Sequence, residues 1–332
     1  MSRSINAVRD FVLKNSTIVL FVALFVFFGV VAPRFFSGKN ITNIFSNASY
    51  IGIVGVGMTF VLLTGGIDLS VGSTMYVSAV VAGLVVNQLG LPIGLGLAAC
   101  LLVGLVFGLI NAFIITRLNV VPFIATLTTM LAGRGFGLML TKSVAVNFPD
   151  SLTLLATVDV FGFFPIEVVI FLAVVFAAAL YLRSTTGGRR IYAVGNDIEI
   201  AKKAGIRTTP VVASTYVICA LCAALGGFIS IAEMGRVNAD FGKGEEFNAI
   251  AAAVLGGASL FGGIGTVFPG TLLGTVMIQM IQAGLVFSNV DVYKQEIVKA
   301  LMIFLAVFID SLRNSQLRKL GRRTIMRVSD SS

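Results

Sequence analysis

The chain has 332 residues, 57% hydrophobic and only 12% charged, and its mean hydropathy is +0.99. A soluble domain carries roughly a quarter charged residues, so this chain cannot cover a surface in water and lipid must solvate much of it. It has no histidine and no tryptophan, which removes imidazole metal ligands, the commonest general base and the zinc-metalloprotease signature. Long apolar runs at Ile18–Val31, Gly94–Thr116, Val168–Leu182, Val211–Ile231 and Ile297–Ile309 approach or exceed the roughly 20 residues a membrane helix needs. They do not alternate as barrel strands do.

Residues 1–15 read as a cytoplasmic segment carrying Arg3, Arg9 and Lys14. The apolar run after them ends in Ala32-Pro-Arg-Phe-Phe36, a poor small-residue cleavage site, so it reads as a retained first span. Gly, Pro and charge positions then divide residues 16–312 into about ten hydrophobic segments: 16–33, 41–64, 73–88, 92–116, 121–141, 163–182, 211–232, 248–262, 266–288 and 294–312. The segments 73–88 and 248–262 are short enough for half-helices or re-entrant pieces. The expected fold class is an all-α polytopic membrane protein with glycine-broken segments.

Orientation follows lysine and arginine. Arg183, Arg189, Arg190, Lys202, Lys203 and Arg207 cluster in residues 183–210, and residues 313–332 form a basic tail. An even number of spans places both termini and this loop in the cytoplasm. The opposite loops hold Asp150, Asp159, Glu233, Asp240, Glu245, Glu246 and Asp291. The net charge of +9 is thus a topology signal; the basic residues flank spans, so no nucleic-acid partner is expected.

The most informative segment is Gly65-Gly-Ile-Asp-Leu-Ser-Val-Gly-Ser73. Two adjacent glycines weaken a helix by about 1 kcal/mol each. A carboxylate near the membrane centre costs about 2.5–3.5 kcal/mol on insertion scales, so Asp68 needs a partner or a water-filled cavity. Its direct role is to cap the following half-helix, a role compatible with lining a path. The pattern GGxxLxxG recurs at Gly256-Gly257-Ala258-Ser259-Leu260-Phe261-Gly262-Gly263, and paired glycine breaks point to discontinuous helices along a path. The charge-derived topology runs both copies in the same direction, whereas a five-plus-five repeat would invert one.

Arg134 lies deep in a span between glycines and needs a carboxylate, helix carbonyls or a snorkelling route. Lys299 reads as a snorkelling anchor. Gly104-x-x-x-Gly108, Gly133-x-x-x-Gly137 and Gly270-x-x-x-Gly274 signal close helix packing. Cys219-x-x-Cys222 has redox spacing but lacks the electropositive setting of a thiolate, so both it and Cys100 read as packing. No metal site is expected.

In the cytoplasmic stretch, Gly187-Gly188 is expected to end the preceding span. Asn196 or Asp197 is a candidate N-cap with Glu199 in the first turn, and Gly205 is a stop. The result is a short helix over Asp197–Ala204. So short a helix needs a partner surface. No GxxxxGK[ST] occurs, so the chain has no P-loop to hydrolyse nucleotide.

Several stretches together resemble the permease subunits of bacterial carbohydrate ABC importers. They are Gly57–Ser73, Val121-Pro-Phe-Ile-Ala-Thr-Leu127, Arg190-Ile-Tyr-Ala-Val-Gly-Asn196, Ala249–Leu260, Gly265–Gly274 and Ile297-Val-Lys-Ala300. The resemblance covers nearly the whole chain. Val194 stands where the family often has a second glycine, and Asn248 stands where relatives often carry Asp. The resemblance implies an inner-membrane permease for a monosaccharide or related small polar solute, with no catalytic residues. It implies a second permease (identical or sister), a periplasmic solute-binding protein and a cytoplasmic ATPase. ATP and Mg would sit on that ATPase, and this chain would bind no cofactor. Gly195, Asn196, Asp197, Glu199, Lys202, Ala204 and Gly205 would meet the ATPase. Asp68, Ser70, Phe123, Thr126 and Ser259 are candidate path residues, and Gly65, Gly66, Gly72, Gly256 and Gly257 the helix breaks. The rival class is an ion-coupled secondary transporter, which would need more carboxylates or histidines within its spans.

Overall fold

The computed structural model describes residues 16–32, 34–156, 158–160, 164–291, 293–295, 297–298, 300–301, 304 and 308. The termini, Lys299 and most of the expected 294–312 span lie outside the described residues. The helices are α1 (Ser16–Val31), α2 (Gly38–Leu63), α3 (Val71–Asn87), α4 (Ile93–Thr116), α5 (Pro122–Thr141) and α6 (Asp150–Ala156). They continue with α7 (Ile166–Ser184), α8 (Thr186–Asn196), α9 (Ile198–Lys203), α10 (Thr208–Met234), α11 (Glu245–Leu255) and α12 (Leu272–Phe287), the last preceded by a π turn at Val267–Thr271. Four two-residue strands sit in the loops: β1 (Val146–Asn147) pairs antiparallel with β4 (Arg236–Val237), and β2 (Asp159–Val160) with β3 (Phe164–Pro165). Among the described residues, six helices are long and apolar enough to cross a membrane, and α1 and α3 are shorter apolar helices. The class is therefore all-α and membrane-embedded, and the count of ten holds only when short pieces are included.

Small residues decide which faces meet. The buried positions of α4 are Gly96, Cys100, Gly104, Gly108, Asn111, Ala112 and Ile115, one stripe at helical spacing. Its large residues Leu102, Val106, Leu109 and Phe113 point outward. Water does not drive helices together inside a bilayer, so close approach of small residues does. A Cβ on Gly104 would lie 2.6 Å from Ala224 Cβ, and one on Gly108 2.7 Å from Val217 Cα, both on α10. Gly133 and Gly137 instead receive the rings of Phe107 and Tyr76, and Gly270 and Gly274 lie against the backbone of α11 and its end. The cysteines are free; Cys219 and Cys222 pack on Gly57, and the Cys100 thiol donates to the Ala224 carbonyl at 3.2 Å.

Two expected boundaries change. The 248–262 segment is helical only over Glu245–Leu255, a rise of about 16 Å and half a bilayer. Gly256 and Gly257 stop it there. Gly187 and Gly188 do not end the preceding span: α7 closes at Ser184, and Thr185 caps α8 by accepting from the Gly188 N–H at 3.0 Å. The glycines lie in the first turn of α8 because the corner is tight; a Cβ on Gly188 would sit 2.3 Å from the Leu182 carbonyl oxygen.

Candidate functional site

Both GGxxLxxG copies end a helix by the same device. At the end of α2, Gly65 takes φ +74°, the Gly65 N–H donates to Leu62 O and the Gly66 N–H to Val61 O. At the end of α11, Gly257 takes φ +94°, the Gly257 N–H donates to Val254 O and the Ala258 N–H to Ala253 O. These are Schellman closures, one residue out of register within the motif. The two breaks touch. The Gly263 N–H donates to Leu63 O at 2.9 Å, and a Cβ on Gly262 would lie 3.1 Å from Gly65 N. The copies therefore stop at the same end of the molecule, as the charge-derived topology expects.

The end of α8 closes on this contact. A Cβ on Gly195 would fall 1.7 Å from Leu63 O and 2.6 Å from Gly263 N. A Cβ on Gly263 would lie 2.4 Å from Asn196 Oδ1, and the Tyr192 hydroxyl donates to Gly265 O at 2.8 Å. Three segments far apart in sequence thus form one backbone junction that only glycine admits at Gly195. Beyond it the chain turns sharply. Asp197, not Asn196, is the N-cap of α9: its Oδ1 accepts from the Glu199 and Ile200 N–H groups at 2.8 and 2.9 Å. Lys202 pairs with Glu199 at 2.8 Å on the exposed face, and Gly205 leaves the helix at φ +80°. The 183–210 stretch is therefore an elbow of two helices, α8 and α9, where the sequence suggested one.

Past the first break the chain re-enters the protein and builds a polar knot. Asp68 Oδ1 accepts from the Ser70 N–H at 2.9 Å and the Ser70 hydroxyl at 2.6 Å, with Asn111 Nδ2 at 3.5 Å. Asn111 Nδ2 also donates to Ser70 Oγ at 2.8 Å, and the Thr129 hydroxyl donates to Asn111 Oδ1 at 2.7 Å. The Thr126 hydroxyl reaches Ile67 O at 3.3 Å and Pro122 O at 2.9 Å. Asp68, Ser70, Asn111 and Thr126 are fully buried. The knot ties the loop before α3 to α4 and α5, and each such hydrogen bond contributes about 0.5–1.5 kcal/mol.

Of the five candidate path residues, Asp68, Ser70 and Thr126 come together. Ser259 does not join them: it is buried within its own loop, its N–H donating to Ile264 O and its hydroxyl accepting from the Phe261 N–H. Phe123 is half exposed in the first turn of α5. Asn111 and Thr129 escaped the sequence reading; the one available signal was an asparagine inside an otherwise apolar span. Gly72 marks the other side of the knot, where a Cβ would fall 2.2 Å from Gly242 O.

Arg134 lies in the field of Glu246 and Asp240, but its hydrogen bonds go to loop carbonyls. Its Nη1 donates to Phe241 O at 2.6 Å and Ala239 O at 3.4 Å, and its guanidinium lies 4.9 Å from the Tyr76 ring centroid. It pins the non-helical segment 238–244 between β4 and α11.

The chain was compared with known proteins. A family model described as branched-chain amino acid transport system / permease component matches residues 40–307. The ribose import permease protein RbsC of Escherichia coli K12 is 36% identical over 317 residues, covering 91% of this chain and 95% of that protein. The autoinducer 2 import system permease protein LsrC of Yersinia enterocolitica is 33% identical over 318 residues, covering 95% and 88%. The fructose import permease protein FrcC of Rhizobium meliloti is 33% identical over 301 residues, covering 88% and 83%. No solved structure matched. The helix breaks and the elbow at their junction thus belong to a membrane permease, and the chain is a member of the branched-chain amino acid transport system / permease component family.

Proposed function

We propose that this chain is the transmembrane permease subunit of an ABC importer that carries a monosaccharide or related small polar solute across a bacterial inner membrane. The permeases it resembles are named for ribose, autoinducer 2 and fructose. The chain is the path and not the motor: it is not an enzyme, binds no cofactor, and depends on a cytoplasmic subunit that holds ATP and Mg. A periplasmic binding protein delivers solute, a second permease (a copy or a sister chain) completes the pore, and both termini lie in the cytoplasm.

The observation that carries this reading is the junction of Gly195 with Leu63 and Gly263. The exposed elbow, from Gly195 and Asn196 through Asp197, Glu199, Lys202 and Ala204 to Gly205, is the ATPase-facing surface. Closure of the ATPase domains pushes the elbow, and the push reaches the ends of α2 and α11 without an intervening side chain. The Asp68 knot transmits it to α3. In this mechanism Asp68, Ser70 and Thr126 position the half-helix beside the path, Gly65, Gly66, Gly72, Gly256 and Gly257 allow its breaks, and Phe123 and Ser259 flank it.

The test is uptake of radiolabelled D-ribose and D-fructose by cells expressing this chain with a partner ATPase and binding protein. Uptake that requires the ATPase and survives an uncoupler supports the importer. Uptake that persists without the ATPase and collapses with an uncoupler means a secondary transporter.

A further inference from the structure

At the end of the bundle away from the junction, the chain encloses an open cavity of about 480 Å³ between α2, α3, the end of α10 and the 238–245 segment. We propose that this cavity is the solute-receiving site, and that its ligand is a neutral polyhydroxylated molecule the size of a monosaccharide. The proposal rests on the importer reading above and adds to it the place where the solute enters.

Four features agree on this ligand. The volume lies in the range of small-molecule sites, roughly 300–1,000 Å³. The walls are of two kinds: Tyr50 and Met75 offer apolar surface to the C–H face of a sugar ring, and Asn238, Asp240 and Glu245 offer amide and carboxylate groups to its hydroxyls. The charges cancel. Arg236 and Lys243 stand with Asp240 and Glu245 around the same space, and Lys243 Nζ lies 3.6 Å from Asp240 Oδ1. Such a rim is balanced in formal charge, which suits a neutral solute better than an ion. Finally, the floor is closed by backbone: Gly242 O rests on Gly72 in the first turn of α3, just beyond the Asp68 knot. The cavity is thus in line with the broken helix, separated from it by one glycine contact.

One wall is a shaped loop. Residues 238–244 form no helix, Gly242 and Gly244 hold φ of +72° and +86°, and the segment is tied to α5 through the Arg134 guanidinium. Arg134 is a positioning residue for this wall and does not line the cavity.

The experiment uses the complete importer in intact cells and a membrane-impermeant methanethiosulfonate added outside. The native cysteines are buried or half-buried. Asn238→Cys, or Met234→Cys if the first variant does not import, serves as its own folding control, because uptake of labelled D-ribose or D-fructose is read before and after modification. The expected result is a fall of at least tenfold on modification, and slower labelling while sugar is being imported. Modification of Leu89→Cys, exposed elsewhere on the same end, leaves uptake unchanged. A cysteine in the cavity that labels without loss of uptake, or that never labels in an importing chain, overturns the site. Uptake by the unmodified chain that persists without the ATPase and collapses with an uncoupler overturns the reading beneath it instead.

Discussion

Glycine does one job at the junction and two beside the cavity. At the junction, glycines are there because other atoms occupy the space of a side chain: a Cβ on Gly195 would sit 1.7 Å from Leu63 O. Beside the cavity, Gly242 meets Gly72 in the same backbone-to-backbone way, whereas Gly244 has nothing within 4 Å of its missing Cβ and is there for its φ of +86°. The first kind makes a rigid, void-free contact able to pass a displacement from one element to another. The second, at Gly244, sets the path of a loop beside open space. In the proposed importer the tight junction lies where force enters and the shaped loop where solute enters, on opposite sides of the Asp68 knot.

The sharpest way to break this comparison is Gly195→Ala. Forcing a methyl against backbone costs about 1–3 kcal/mol of overpacking, and it separates the elbow from the breaks. Thermal melting of the detergent-solubilised chain should fall, and uptake with it. A melting curve like wild type would mean that the contact is loose. Next comes Asp68→Ala, which strips Ser70 and Asn111 of their shared acceptor inside the bundle, at about 2–4 kcal/mol given the cost of leaving buried donors unpaired. Asp68→Asn keeps an acceptor oxygen and should lose roughly half as much by the same melting assay. If the two variants melt alike, the knot does not depend on hydrogen bonds to Oδ1.

Smaller effects sharpen the contrast. Gly244→Ala meets no neighbour and carries only the left-handed strain of about 1–2 kcal/mol; it should melt nearer to wild type than Gly195→Ala does. Asp197→Ala removes the α9 cap, about 1 kcal/mol locally. It should weaken co-purification of the ATPase subunit several-fold with little change in melting. Gly135→Ala is the least: it is exposed on α5 with nothing within 4 Å, and alanine there should stabilise by at most about 1 kcal/mol.

Much of the fold was legible because membrane helices advertise themselves by length. Nine of the ten expected segments coincide with helices described here, with edges displaced by a few residues except at Gly256. Of the two segments short enough for half-helices, 248–262 is one, stopped by Gly256 and Gly257, whereas 73–88 is a helix of 17 residues. The junction was not legible. Gly195, Leu63 and Gly263 are separated by more than a hundred and by nearly seventy residues, and no local pattern says that they touch. The repeat points to two discontinuous helices but carries no sign that the copies meet, as they do through the Gly263 N–H and Leu63 O. Asn111 and Thr129 were missed because a lone polar residue in an apolar run has no partner until the fold supplies one. Arg134 was noticed from its burial cost, yet its acceptors are loop carbonyls, which carry no sequence signature.

The central claim is that the elbow drives both helix breaks through a backbone contact at Gly195. The most direct measurement is sugar uptake by the complete importer carrying Gly195→Ala, set beside Gly135→Ala at matched membrane levels of the chain. The account predicts at least a tenfold loss for the first and wild-type uptake for the second. Wild-type uptake in Gly195→Ala would contradict it.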